Sequence, residues 1–234
     1  MSALPAEGTG AVVILVAARD EAARIAATIE ALKEALGGAK IVVADDGSRD
    51  GTSDLALEHG AEVVSRRRTH GKGGSMSAAA ATVEPLTELG DSPIFVLCDG
   101  DLGESARELA DLVRVVRARE CDLAVGAFSR RVGGGFGIAL RFSRWAIERR
   151  SGYRAGAALS GQRAMRAEVL RVVLPFAPGY GMETGMTIDA VRAGFSVREI
   201  ELDLEHRATG RTLNGFAHRA RQLVDIARAW WARR

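Results

Sequence analysis

Short apolar runs recur along the chain, and most of them stop at a polar or glycine-rich cluster. Residues 11–16 and 41–44 are unbroken and β-branched, the composition of strands covered on both faces. Residues 61–65 and 122–126 read as further strands, and 197–202 alternates as a strand with one wet face does. The run that opens at Ser92 ends in Asp99-Gly100-Asp101. Helical periods lie between the runs, at 21–36 with Gly37-Gly38 as its stop, at 53–59, and in an alanine-rich stretch through Val83. Further helices are read at 112–119 and 138–150, and Glu183 suits the start of another. Residues 214–231 set Phe216, Ala220, Leu223, Ala227 and Trp230 on one stripe of a helix. Strands alternating with helices at this spacing predict an α/β fold with a Rossmann-like, mostly parallel, doubly wound sheet and helices on both faces.

In such sheets ligands bind beyond the carboxyl ends of the strands, so the polar clusters there are expected to face one crevice. Asp99 and Asp101 are either a turn, which Asp and Gly favour, or a cation site, since two adjacent carboxylates repel unless a cation offsets them. Gly71-Lys72-Gly73-Gly74 opens a helix with backbone N–H groups and an ammonium, which suits a phosphate; otherwise it is a glycine-rich helix start with a solvated lysine. It lacks the Walker spacing, and no Gly-x-Gly-x-x-Gly follows the first strand. Asp45 and Asp46 either accept hydrogen bonds from a nucleoside or cap the helix beyond them, and Glu21 either meets a ribose or favours its helix N-terminus.

Composition narrows the class. The chain has 234 residues, 47% of them hydrophobic, and 32 basic residues nearly cancel 30 acidic ones, so no overall charge calls for nucleic acid. Only Lys33, Lys40 and Lys72 are lysines, which makes one inside a glycine loop conspicuous. Two isolated cysteines, Cys98 and Cys121, offer no disulfide framework or metal spacing. With no basic leader and no apolar stretch near the roughly 20 residues of a bilayer span, the expected location is cytoplasmic.

Four ordered segments carry a resemblance: Ala18-Arg19-Asp20-Glu21, then Asp45-Asp46-Gly47-Ser48-Arg49-Asp50-Gly51-Thr52, then Gly71-Lys72-Gly73, then Asp99-Gly100-Asp101. Together they are similar to the motifs of family-2-like GT-A glycosyltransferases, with Ala17 where the usual motif has proline and Asp20 where it has asparagine. The resemblance implies one GT-A domain, with a nucleotide-binding half at about 11–103, a sugar and acceptor half at about 104–210, and a C-terminal helix at about 211–234. It implies a nucleotide-sugar donor, a UDP-sugar before a GDP-sugar, met by Ala18, Arg19, Glu21, Asp46, Gly71, Lys72, Asp99 and Gly100. It also implies Mg²⁺ or Mn²⁺ on Asp101 and Asp99. Ser160-Gly161-Gln162 resembles a segment that borders the acceptor region and joins the donor site.

Residues 179–189 and Leu204-Glu205-His206-Arg207 are similar to glucosyl-3-phosphoglycerate synthases and polyprenyl-phosphate sugar synthases. The first of these implies His206 as a third metal ligand; by itself His206 reads as a surface residue. Glu183 and Asp189 are the acid–base candidates near the acceptor, and the course of the transfer, retaining or inverting, stays open. The Gln-x-x-Arg-Trp signature of processive synthases is absent, so transfer of a single hexose to a small phosphorylated or lipid-phosphate acceptor is expected. Residues 130–137, with three consecutive glycines, read as a lid or as an ordinary loop. The C-terminal helix either packs on its own domain or lies on an anionic membrane surface, and a homodimer is a further assembly left open. A nucleotidyltransferase of related fold and a non-catalytic nucleotide-binding scaffold are the competing classes. The first is disfavoured because residues 16–24 lack its glycine-rich loop.

Overall fold

The structure is a computed structural model and describes residues 10–65, 69, 71–83, 92–129, 137–204 and 214–234. Strands β1 (Val12–Ala18), β2 (Lys40–Asp45), β3 (Glu62–Ser65) and β4 (Ile94–Asp99) fall where the apolar runs predict them, as do β5 (Leu123–Phe128) and β7 (Val197–Leu202). One strand, β6 (Arg163–Arg166), is not legible as such, because only Ala164 and Met165 are apolar in it. Its two arginines reach the sheet with partners: Arg163 donates to the Ser160 carbonyl and to Thr187, and Arg166 pairs with Asp122 at 3.1 Å.

The seven strands form one sheet in the order β3-β2-β1-β4-β6-β5-β7. Every pairing is parallel except those of β6, which runs antiparallel to both β4 and β5. The sheet is therefore mostly parallel, and the single reversal sets the 160–162 segment beside the end of β4.

Alternate residues of the central strands feed two cores. Val12, Ile14 and Val16 join Ile94, Val96 and Cys98 under α1 (Ile25–Ala35), α2 (Thr52–Glu58) and α4 (Leu109–Arg117). Val13, Leu15, Phe95 and Leu97 face α3 (Gly71–Thr82), α6 (Ala167–Val173) and α7 (Met182–Arg192) on the other side. Each fully buried Val, Leu, Ile or Phe contributes about 1.5–3 kcal/mol, so both layers are needed to hold the sheet.

Helix α1 starts four residues later than the pattern suggests. The amides of Glu21 and Ala22 donate instead to Thr52 Oγ1 at 2.9 Å and Asp50 Oδ2 at 3.0 Å, tying the loop after β1 to the loop after β2. Helix α5 (Gly137–Ser151) precedes β6, and α8 (Asn214–Ala232) closes the chain.

Helix α8 packs on its own domain, along α5, α7 and a 3-10 turn at Gly179–Gly181. Among its described side chains the most buried are Gln222, Ile226 and Ala229; Leu223, Ala227 and Trp230 of the expected stripe are half-buried, and Phe216 and Ala220 lie outside the described side chains. Among the described residues no helix is long and apolar enough to cross a membrane. The segment 130–137, read as a lid or an ordinary loop, lies outside the described residues except for Gly137, the first residue of α5.

Candidate active site

The four polar clusters at the carboxyl ends of β1 to β4 open onto one cavity of about 660 Å³. Ala18, Arg19 and Glu21 come from the first loop, Asp46 from the second, Thr69, Gly71 and Lys72 from the third, and Asp99, Gly100 and Asp101 from the end of β4. A volume of this size suits a ligand with a nucleoside and a diphosphate.

The Asp99-Gly100-Asp101 turn is pinned by its backbone. The Gly100 amide donates to the Ala17 carbonyl at 2.9 Å, buried Thr28 on α1 donates to the Gly100 carbonyl at 2.9 Å, and Arg24 donates to the Asp101 carbonyl at 3.2 Å. Both oxygens of Asp99 are engaged: Oδ1 meets Lys72 Nζ at 2.6 Å and Oδ2 accepts from Gln162 Nε2 at 2.8 Å. The Asp99 amide in turn donates to Gln162 Oε1 at 3.1 Å, so a buried glutamine fixes the strand end from behind. The Asp101 side chain, 8% exposed, stands on the cavity wall.

Lys72 is clamped a second time, by Glu183 Oε1 of α7 at 2.9 Å. Burial works against its ammonium, but the charges of Asp99 and Glu183 outweigh that and hold its pKa well above the ordinary lysine value. The clamp needs Gly161, since a Cβ there would overlap Lys72 Nζ and lie 2.7 Å from Asp99 Oδ2. Ser160, Gly161 and Gln162 thus stand behind Asp99 and are not on the cavity wall.

Asp46 is tied to the start of α3: its Oδ2 accepts from the Gly71 amide at 3.1 Å and its Oδ1 from Ser75 Oγ at 2.6 Å. Asp45 does not reach the cavity wall. Its carboxylate accepts from Ser48 and Ser53; burial raises its pKa, and the hydroxyl hydrogen bonds overcome that and lower it. Burial, with Asp99 and Asp101 nearby, pushes the Cys98 thiol far up, which leaves it a packing residue.

The two acid–base candidates are separated by the structure. Glu183 reaches the cavity only through Lys72. Asp189, expected to share its task, is turned to the α7–α8 seam, where it accepts from Arg233 Nε at 2.8 Å and Nη2 at 2.6 Å and takes no part in the cavity. Arg163 was not anticipated as part of this network. It is fully buried, within electrostatic reach of Glu183 and Glu199, and burial pulls its guanidinium down to about 10 against those two charges.

The cavity also has a wall that the strand-end motifs do not announce, made of Pro178, with Gly179 and Tyr180 at the start of the 179–189 segment, and Arg221 and Asp225 of α8. The signal for it was the four-residue spacing of two charged side chains on an otherwise amphipathic helix, but nothing in the sequence says which way that face turns.

The residues present fit a divalent cation. Asp99 and Asp101 supply hard carboxylate oxygens on one wall, the donors that Mg²⁺ and Mn²⁺ take. Among the described residues there is no group of three metal-ligating side chains, and His206, the expected third ligand, lies outside them.

Comparison with known proteins bears on the same elements. An undecaprenyl-phosphate mannosyltransferase of Micrococcus luteus is 31% identical over 201 residues, 79% of this chain and 79% of that one. Glycosyltransferase AglJ of Haloferax volcanii is 28% identical over 214 residues, 87% of this chain and 66% of its own. Among solved structures, glucosyl-3-phosphoglycerate synthase of Mycobacterium tuberculosis in complex with Mn²⁺, UDP-glucose and phosphoglyceric acid superposes with a TM-score of 0.76 at 26% identity, over 96% of this chain and 81% of that one. The glycosyl transferase family 2 profile matches residues 13–173, from β1 through α6, the stretch that brings Glu21, Asp46, Lys72 and Asp99-Gly100-Asp101 to one cavity. The chain therefore belongs to glycosyl transferase family 2 and is a glycosyltransferase with the GT-A fold.

Proposed function

We propose that the protein transfers one hexose from a nucleotide-diphosphate sugar, a UDP-sugar before a GDP-sugar, to a phosphorylated acceptor, with a divalent cation. The observation that carries this reading is the convergence of Asp99, Asp101, Lys72 and the start of α3 on one cavity of about 660 Å³. Asp101, joined by Asp99, would hold Mg²⁺ or Mn²⁺, and His206 is the proposed third ligand. A bound divalent cation supplies positive charge where the diphosphate leaving group gains negative charge. The named relatives support phosphate on both substrates, being associated with UDP-glucose, phosphoglyceric acid and undecaprenyl phosphate.

The chain's own groups then divide the work. Glu21 and Asp46 face the nucleoside, and Asp46 also anchors the helix whose start meets the phosphates. Lys72 stays charged at the diphosphate side because two carboxylates hold it there. Glu183 acts through Lys72 and orients the sugar or the acceptor hydroxyl. Residues 11–103, 104–210 and 211–234 serve as donor half, acceptor half and closing helix of one domain.

The test is a panel of UDP- and GDP-sugars with Mn²⁺, scored by nucleotide release. One donor is expected to turn over, with Asp101→Ala lowering the rate at least about 100-fold, as removal of a principal electrostatic group does, and abolishing thermal stabilisation by Mn²⁺. If no donor binds or is hydrolysed, and Asp101→Ala leaves the Mn²⁺ effect intact, the reading is wrong.

One observation favours a lipid-phosphate acceptor. Phe142, Trp145, Trp230 and Trp231 form a continuous chain of ring contacts along α5 and α8, with Trp145 47% and Trp231 60% exposed. Arg150 and Arg234 lie over the rings of Trp230 and Trp231. Aromatic rings among arginines suit the surface of an anionic membrane on the cytoplasmic side. Sedimentation with phosphatidylglycerol vesicles should deplete the wild type but not Trp145→Ser/Trp231→Ser. Light scattering without lipid shows whether the same face forms a homodimer instead.

A further inference from the structure

The wall formed by the Gly179–Gly181 turn and α8 is built to a fixed shape. A Cβ at Gly181 would lie 2.7 Å from Ala229 Cβ and 2.7 Å from the Asp225 carbonyl, so helix and turn are in close contact, with room at Gly181 for no side chain. On its other side the turn meets the start of α3, where a Cβ at Gly71 would approach Gly179 Cα to 3.2 Å. The Tyr180 amide donates to Asp225 Oδ2 at 3.3 Å. Arg221 lies one helical turn before Asp225, on the same face, and lines the cavity with Tyr180.

The charges around the cavity are unevenly satisfied. Lys72 is held by Asp99 and Glu183, and Arg19 lies 4.0 Å from Asp20. Asp225, the acidic neighbour of Arg221, directs one oxygen to the Tyr180 amide and the other toward Arg228 at 3.9 Å. Arg221 makes no ion pair among the described residues, yet it acts electrostatically on the Tyr180 phenol: burial pushes that phenol's pKa up and Arg221 opposes it. An anion entering the cavity can meet this guanidinium without first breaking a salt bridge to any described residue, and a guanidinium can grip phosphate oxygens with two parallel N–H bonds.

We propose that Arg221, presented by α8 beside Tyr180, forms a phosphate subsite on the cavity wall, separate from Lys72 and from the Asp99-Gly100-Asp101 turn. The group it takes is a phosphate ester or diphosphate, from either the sugar donor or a phosphorylated acceptor. The C-terminal helix thereby supplies a substrate contact as well as a packing surface. This rests on the reading of the cavity as a site for phosphorylated ligands, but its test needs no turnover.

The full chain is titrated with inorganic pyrophosphate, without metal or sugar, and followed by ³¹P NMR. The wild type should bind, Arg221→Gln should bind about 10- to 100-fold more weakly through loss of a charge-assisted contact, and Arg221→Lys should fall between, keeping the charge but losing the fork. Titrations with UDP plus Mn²⁺ and with 3-phosphoglycerate then identify the source. A loss confined to UDP assigns the subsite to the donor, and a loss confined to phosphoglycerate assigns it to the acceptor. If the wild type does not bind pyrophosphate, or binds it no better than Arg221→Gln does, the subsite does not exist. That result is distinct from failure of the transferase reading, because UDP binding and nucleotide release can persist without Arg221.

Discussion

Replacing Lys72 with methionine keeps the aliphatic stem and removes the ammonium that sits 2.6 Å from Asp99 and 2.9 Å from Glu183. The two carboxylates then face each other across an apolar side chain, with Glu183 7% exposed and Asp99 25% exposed. Stripping the partner from a buried ion pair costs about 3–5 kcal/mol. Asp99 keeps its hydrogen bond from Gln162 and some water, which brings the expectation to about 2–4 kcal/mol. For a chain of this length, that lowers Tm by about 5–15 °C.

The sign of the pH dependence follows from the direction of the Lys72 shift. Its folded-state pKa is raised, so its contribution is complete below the unfolded lysine value of about 10.4 and is lost only as pH rises through the higher folded value. The wild type should therefore show no loss from this pair between pH 6 and 9. Urea unfolding of wild type, Lys72→Met, Glu183→Gln and the double variant measures this directly. Glu183→Gln should be destabilising alone but should restore about 1–2 kcal/mol in the Lys72→Met background, because it removes one of two repelling charges. A Lys72→Met protein within about 0.5 kcal/mol of wild type, or two effects that simply add, would refute the clamp.

Gly161→Ala forces a methyl into the Lys72–Asp99 contact, so it should cost about 1–3 kcal/mol and lower donor turnover more than donor affinity; an unchanged melting curve and rate would contradict the close approach. Asp45 has a lowered pKa, so its contribution to stability is present above its ordinary value of 3.8 and is lost as pH falls through the lower folded value. Asp45→Asn should therefore be less stable than wild type at pH 6, with the difference narrowing toward pH 2 in acid-unfolding curves. A difference that stays constant across that range would mean that the Ser48 and Ser53 bonds do not favour the carboxylate.

The division between sequence and tertiary structure follows physical lines. Strands buried on both faces must be continuously apolar, which is why β1, β2 and β4 could be read directly, and the glycine and aspartate clusters at their ends mark the crevice of a parallel sheet. Four stretches far apart in the chain were thus expected at one place, and they line one cavity.

The sequence could not show β6, because its outward pattern is that of a polar loop until Ser160, Thr187 and Asp122 give its arginines partners. Nor could it show that Glu183 would clamp Lys72 while Asp189, half a helix away, would turn to Arg233, since both carboxylates are equally plausible acids until α7 is docked. The same holds for α8. Its amphipathic composition predicts a helix, but which stripe is buried depends on the surface it meets. Here the close glycine contacts at Gly179 and Gly181 rotate Arg221 into the cavity, leaving Trp231 exposed. Local pattern shows where most of the elements lie and which residue types gather at strand ends. Only packing between distant segments assigns each charge its partner, because an ion pair depends on approach within a few ångströms and sequence spacing does not encode that distance.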